Sequence, residues 1–376
     1  MTELVAENID RLAERARREI DNGHLPSCQY ALALDGTIVA GETLGDATPD
    51  NRYVVFSATK AIVASAVWTL MQDDLVDIGL PVAEYLPDFM TEGDPDHGST
   101  ITVEQVLLHT SGFPHAPMGS PEWATSEGRR RRMRGWRCNW DPGTAYEYHA
   151  SSAHWVLAEI IEAVTGADFR QVVTDRVLVP HGLDRFQLGV PRAEQGDVLE
   201  LVPVGEEPTP DELEAALGIR ELPVTEVTEA ALLGFNEPAA KEVGVPGGGG
   251  VSDASTLARF YQALLRNPKG VWDDALLAEA TGTVRNTFDD PLYRVPIRRT
   301  LGLCTAGDDG KASFRGFGKT GSPRRFGHNG AGGQIAWADP ESGLSFVYLT
   351  NGLDAHPIRQ ARRGVALSSI AADCVR

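Results

Sequence analysis

The 376-residue chain is 42% apolar and 23% charged, the balance of a water-soluble globular protein with a sizeable core, long enough for one large domain or two ordinary ones. Its 34 basic and 53 acidic residues give a formal charge of −19, which argues against nucleic acid and anionic membranes as partners. No run of about 18 apolar residues is available to span a membrane, residues 1–8 carry no apolar export signal, and Cys28, Cys138, Cys304 and Cys374 form no Cys-x-x-Cys pair, so a cytoplasmic protein with free thiols and no structural zinc is expected.

Val5, Ile9, Leu12, Ala16 and Ile20 recur at helical spacing among charged residues, predicting an amphipathic helix that Asp21-Asn22-Gly23 ends. Two apolar runs, 30–34 and 37–40, flank Asp35-Gly36 and predict a hairpin. Val54-Val55-Phe56 then leads into Ser57-Ala58-Thr59-Lys60 and the apolar run 61–71. A helix starting at Ser57 sets Ser57 and Lys60 one turn apart on one face. It is apolar nearly all round, so it is expected to be buried. A buried ammonium tends to lose its proton, its pKa falling from about 10.4, and a neutral amine one turn from a hydroxyl is a general base beside a nucleophile. The plainer reading is a helix-capping serine and a lysine that snorkels to solvent. Of the five lysines, only Lys60 has a serine three residues before it.

Farther on, residues 77–81 stop the helix, and Thr102 with Gln105 forms a capping box before the turn Thr110-Ser111-Gly112. Arg129, Arg130, Arg131, Arg132, Arg134 and Arg137 cluster in nine residues. Such a run is expected to be a solvated helix face, with a lid that meets an anionic substrate group as the sharper option. A helix carrying Trp155, Ile160 and Val164 ends at Gly166, and residues 194–245 are acidic and proline-broken, like an exposed excursion with one short helix near 211–217. The run Pro246-Gly247-Gly248-Gly249-Gly250 lacks the Gly-Lys-Ser/Thr ending of a phosphate-binding loop. A helix is expected over 255–266, strands over 334–338 and 344–350, and a last helix over 357–371. Strands at both ends with helices between imply an α+β fold in one domain. Its antiparallel sheet comes from about 1–60 and 250–376, its helical part from about 61–249.

Five stretches together resemble the serine β-lactamase and penicillin-binding-protein superfamily, most closely its family VIII carboxylesterases and related acyltransferases. They are Phe56-Ser57-Ala58-Thr59-Lys60, the segment 106–112, Pro142-Gly143-Thr144 with a tyrosine, the Pro-Gly-Gly segment from Pro246, and 326–333 around His328. The resemblance implies Ser57 as nucleophile, Lys60, or Tyr148 with Lys60 behind it, as base, and Tyr148 as proton relay, with Tyr146 a rival two residues early. It further implies an oxyanion hole from the backbone N–H groups of Ser57 and Ala331. The family's asparagine two residues after the tyrosine is replaced here by Ala150, which weighs against lactam and peptide cleavage. For the third family motif there are two candidates. Lys319-Thr320-Gly321 is followed by Ser322-Pro323, which interrupts a strand, and reads as a turn near the site. His328-Asn329-Gly330 runs into the strand at 334 and is preferred.

The expected chemistry is hydrolysis of a small carboxylic ester through a Ser57 acyl-enzyme. His328, Asn329, Gly330, His149, Trp155 and Phe326 are candidate substrate contacts, while His149 also reads as a satisfied structural histidine. Trp123, Trp136, Trp140 and Phe113 are further candidates for an apolar acyl wall. No metal or other cofactor is implied, there being no His-Glu-x-x-His, and the partner is a small ester or acyl substrate. Acyl transfer to an alcohol or amine, β-lactamase or D-Ala-D-Ala peptidase activity, small amide hydrolysis and a non-enzymatic binding role remain alternatives. An α/β-hydrolase is not among them, because no serine has glycine both two residues before and two residues after it.

Overall fold

The computed structural model describes residues 3–222 and 227–376. In chain order the strands are β1 (Ser27–Leu34), β2 (Thr37–Gly45), β3 (Tyr53–Val54), β4 (Gln187–Leu188), β5 (Val202–Val204), β6 (Gly250–Ser252), β7 (Cys304–Thr305), β8 (Phe326–Gly327), β9 (Ile335–Ala338), β10 (Leu344–Thr350) and β11 (Gly352–Asp354). The hairpin between β1 and β2 turns at Asp35 and Gly36, both left-handed (φ +54° and +80°), the geometry that a two-residue hairpin turn demands.

The main sheet runs β2-β1-β10-β9-β8-β7 and is antiparallel throughout. Both chain ends build it, as the sequence predicts. Every residue of β1 and β10 is buried, because both faces of the sheet are covered. On one face Leu32, Phe346 and Tyr348 pack against Leu12 and Ala16 of helix Ala6–Asp21 and Leu367 and Ala371 of helix Pro357–Ala372. On the other, Ala31, Ala33, Val347 and Leu349 join Leu257 and Tyr261 of helix Ala254–Arg266 and the helical part beyond. Alternation along the strand decides which face each residue serves.

A buried ion network ties the two outer helices to the sheet. Arg363 donates from Nε to Glu19 Oε2 at 3.0 Å and from Nη2 to Asp354. Burial by itself would raise the pKa of both carboxyls, but Arg15 and Arg363 hold Glu19, and Arg359 and Arg363 hold Asp354, below their usual values. Close by, Leu4 and Val375 form an antiparallel bridge, and Glu3 and Arg376 exchange backbone hydrogen bonds of 3.0 and 2.9 Å.

A second sheet, β3-β6-β4, delivers the chain to Ser57. Tyr53 pairs with Ser252 and Val54 with Val251. The segment 194–245 departs from an exposed excursion in two places. Its strand β5 pairs in parallel with β11, and Phe235 packs edge-on against Phe56 at 5.5 Å. The arginine run is also not one solvated face. Arg131, Arg132 and Arg137 are exposed, whereas Arg129 is buried, pairing with Glu159 at 2.5 Å and Glu162 at 2.8 Å. That pairing pins helix Ser126–Arg134 to helix Ser152–Thr165.

Replacing Arg363 by methionine leaves the buried Glu19 and Asp354 with one arginine each, Arg15 and Arg359, and is expected to cost about 1.5–3 kcal/mol at neutral pH, measured by denaturant unfolding. Because both folded-state carboxyl pKa values are depressed, this stabilisation is present above the ordinary carboxyl range. The deficit of the variant should therefore shrink as the pH falls through the folded values.

Candidate active site

Every residue from 52 to 70 is buried except Ser57. The exception has a local cause. Phe56 adopts a left-handed backbone (φ +46°), a conformation costly for a side chain of this size. Its ring is clamped among Val54, Val251, Leu353 and Phe235, with Ala331 against the same cluster. The turn continues as a short 3-10 segment, Phe56–Ala58, into helix Thr59–Gln72, so the helix opens two residues later than the sequence predicts. Ser57 is left at the surface of a cleft with the helix N-terminus behind it.

Lys60 is fully buried. Its Nζ lies 2.5 Å from Gly247 O, 2.7 Å from Ala150 O and 3.3 Å from Ser57 Oγ. Burial first, and the charge of Arg299 second, hold it well below the usual lysine pKa. A neutral amine has two N–H bonds and one lone pair. Carbonyl oxygens only accept, so the two short contacts consume the two N–H groups and the lone pair remains for the Ser57 hydroxyl. The glycine run from Gly247 makes this approach possible, since a Cβ on Gly247 would stand 3.2 Å from Nζ and one on Gly250 2.7 Å from Thr59 Oγ1.

The Tyr148 ring lies beneath this amine, with Nζ 5.0 Å from its centroid. The Tyr148 hydroxyl is enclosed and has no partner of ordinary hydrogen-bond geometry among the described residues. Burial raises its pKa, while Arg299 and the Ser57 side chain draw it back. Tyr146, the rival, instead accepts from Arg299 Nε at 3.4 Å. Among the described residues neither the Ser57 nor the Ala331 backbone N–H donates to a protein oxygen, and a Cβ on Gly330 would meet Val55 O at 2.3 Å. The 330–331 edge is thus held against the Ser57 turn.

Of the other candidates, His328 reaches the site. It lies at the end of β8 rather than at the head of β9, its backbone N–H donating to Ala336 O at 3.2 Å across the hairpin. Its ring is 6.0 Å from that of Tyr148, and burial, then Arg299 and Lys60, keep it neutral. Asn329 is a brace: it donates to Gly316 O at 3.2 Å and accepts from Ala336 N–H at 3.0 Å. His149 is fully buried, donating from Nδ1 to Glu147 O and accepting the Phe113 N–H at Nε2, and burial pushes its pKa down to about 3. It is structural. Trp155 is fully buried against Phe169 and Arg129, and Phe326 packs on Tyr261 inside the sheet; neither faces the cleft. Phe113 and Trp136 are core as well, while Trp123 and Trp140 are partly exposed. Lys319-Thr320-Gly321 is a turn, but one anchored on the last helix through Ser369, with bonds of 2.9 and 2.7 Å.

Two further features went unread in the sequence. Arg299 is buried beside both tyrosines and His328, and no motif marks it; isolated bridges to Asn286 and Cys304 put it there. Asp94, His97 and Cys138 bring ligand-type atoms within 4.8 Å of one another. Asp94 Oδ2 already accepts from His97 Nδ1 and the Cys138 N–H, and burial pushes the Cys138 thiol up to about 12, so this cluster is a closed hydrogen-bonded set. A cavity of about 480 Å³ beside Arg15, His356 and Arg359 shares no residue with the Ser57 constellation. Chemistry rather than size therefore identifies the site.

Comparison with known proteins gives the family and the fold. The Beta-lactamase family model matches residues 6–369. Esterase/beta-lactamase LipL of Mycobacterium tuberculosis is 28% identical over 334 residues, covering 81% of this chain and 70% of its own. Among solved structures, a penicillin-binding protein homologue from Caulobacter crescentus superposes with a TM-score of 0.78 at 22% identity, covering 100% of both chains. A family VIII carboxylesterase does so with a TM-score of 0.77 at 24% identity, again over 100% of both.

Gly247→Ala would put a methyl group 3.2 Å from Lys60 Nζ and 3.1 Å from Ala150 O. The expected result is a tenfold or greater loss, as an order of magnitude, in the rate of Ser57 labelling by a fluorophosphonate. The stability cost should stay within about 1–3 kcal/mol, read from the denaturant midpoint of the same preparation.

Proposed function

The chain belongs to the beta-lactamase family, and we propose that within it this protein hydrolyses small carboxylic esters through an acyl-enzyme on Ser57. The observation that carries the proposal is the Lys60 amine. With Ala150 O and Gly247 O taking its two N–H groups at 2.7 and 2.5 Å, its lone pair is left for Ser57 Oγ at 3.3 Å.

In the proposed reaction Lys60 takes the Ser57 proton as Oγ attacks the ester carbonyl. The tetrahedral oxyanion is received by the Ser57 and Ala331 N–H groups, which have no competing protein acceptor and sit at a helix start. Tyr148 gives its proton to the departing alkoxide, and the ammonium of Lys60 restores the phenol. Water activated along the same route then cleaves the acyl-enzyme. Its attack passes a proton to Lys60, which returns it to Ser57 Oγ as the tetrahedral intermediate collapses, the Oγ–acyl bond breaks and the carboxylic acid leaves.

An ester is favoured over a lactam or peptide because residue 150 offers only a methyl group, and its carbonyl already serves Lys60. An amide substrate therefore finds no side-chain amide at the place where the family's asparagine would stand. LipL carries both esterase and beta-lactamase in its name, so the two activities have to be compared directly.

The test offers short and medium aryl esters, a chromogenic cephalosporin and a D-Ala-D-Ala peptide to the protein and to its Ser57→Ala and Tyr148→Phe variants. Ester turnover should exceed lactam and peptide turnover by about 10²-fold or more in kcat/KM, a difference of roughly 2.7 kcal/mol in transition-state binding. Ser57→Ala should fall to background, and Tyr148→Phe should lose about 10²–10⁴-fold in kcat with little change in KM. Preferential cephalosporin turnover, or a Ser57→Ala variant with full activity, would overturn the assignment. Rapid ester exchange with an added alcohol would identify acyl transfer as the principal reaction instead.

A further inference from the structure

The buried arginines of this protein divide sharply by what they face. Arg52 pairs with Asp197, Arg129 with Glu159 and Glu162, Arg315 with Asp309, and Arg363 with Glu19 and Asp354. Arg325 donates to the carbonyls of Phe317 and Ser322. Arg299, only 3% exposed, pairs with no carboxylate among the described residues. Its Nε donates to the Tyr146 hydroxyl at 3.4 Å and its Nη1 stands 3.5 Å from His328 Nε2. Its Cζ lies 5.2 Å from the centroid of the Tyr148 ring and 5.8 Å from that of Tyr146. An arginine stays charged at any working pH, and a buried charge without a counter-charge is expensive to hold.

We propose that Arg299 is a positioning residue for the reaction: its guanidinium, fixed on the Tyr148 ring, the Tyr146 hydroxyl and the His328 imidazole, is the permanent cation that keeps Lys60 a free amine and makes Tyr148 the better proton donor. This extends the acyl-enzyme assignment and rests on it. The third family motif carries a lysine in its usual form, and here the corresponding side chain is the neutral His328. Arg299 supplies from behind His328 the positive charge that an imidazole does not.

The electrostatic argument covers every group packed around the pair. His109, His149 and His154 face it from the 106–112 turn, the Tyr148 segment and the helix behind. All are buried and held neutral mainly by that burial. Tyr146, Cys304 and His328 face it from the remaining sides, and Asp290 is the one acidic side chain felt at Tyr146. None of these is a cation at neutral pH, so among the described residues packed here Arg299 is the fixed positive charge acting on Lys60, and after burial it is the next cause that lowers that amine's proton affinity. The same field opposes the ammonium and favours the phenolate. It therefore helps both the first proton transfer, which needs a free amine, and the second, which needs an acidic phenol.

The test needs no substrate. With five lysines in the chain, protein labelled with 13C at lysine Cε gives a resolvable titration, and the signal lost in Lys60→Met identifies Lys60. In the native protein Lys60 should titrate well below the other four. In Arg299→Gln, which keeps a hydrogen-bonding head, and Arg299→Met, which keeps the bulk, its midpoint should rise by about 1–2 pH units, the size expected of one charge at this range. Fluorophosphonate labelling of Ser57 at pH 7 should slow by tenfold or more, as an order of magnitude, in both variants and recover as the pH is raised. A purely structural arginine would lower the melting temperature and slow labelling equally at every pH; that outcome, or a Lys60 midpoint unmoved in folded variants, overturns the proposal. So does a native Lys60 that titrates with the other lysines, a result independent of whether the variants fold. A protein that turns over no ester yet shows the shift retains the role of Arg299 and loses the esterase assignment.

Discussion

The site depends on sealing one amine where water cannot reach it. Water would solvate an ammonium and leave Lys60 charged. Inside the protein no carboxylate among the described residues pairs with it, and its two shortest contacts, Ala150 O and Gly247 O, are acceptors that a neutral amine satisfies equally well. Those two carbonyls come from segments nearly a hundred residues apart, so the protonation state of one nitrogen is set by long-range packing. Small shifts in either segment change which hydrogen-bonding direction is left for Ser57.

The architecture around this amine serves that requirement. Helix Thr59–Gln72 is buried from Thr59 to Leu70, which fixes Lys60 without a surface for it to snorkel toward. The sheet built from both chain ends carries the 326–338 hairpin to the Ser57 turn, where Gly330 comes so close to Val55 that any larger residue would clash. The strained Phe56 is held by aromatic contact from the acidic segment. Rigid elements thus hold Ser57, Lys60 and the Gly330–Ala331 backbone, and the side chains between them are left with few degrees of freedom.

Much of the fold was legible in the sequence. The Thr102–Gln105 capping box, the Asp35-Gly36 hairpin and the terminal helix formed as their patterns require; the turn spacing of Ser57 and Lys60 is local, whereas Tyr148, in irregular chain, was reached only through the family resemblance. What escaped was tertiary. His149 and Trp155 lie beside the catalytic segment in sequence, but the helix that follows turns Trp155 inward onto Arg129. Arg129 was hidden in a run of identical charges, and only its alignment with Glu159 and Glu162 on a neighbouring helix separates it from the exposed Arg131 and Arg132. Arg299 had no local signal because its partners lie in loops and strands distant in the chain.

The pairing of Leu4 with Val375 has a topological consequence. Bringing residues so far apart in the chain together closes a loop of nearly the full length, and the entropy of closing it grows only with the logarithm of that length. Described from residue 4 to residue 375, the polypeptide is effectively a ring. A short covalent link across that bridge, with a new opening cut in a surface turn, would reorder the elements along the chain and leave the six-stranded sheet with the same neighbours. Circular permutation would then show whether the contacts that hold Ser57 depend on one particular order of the elements along the chain.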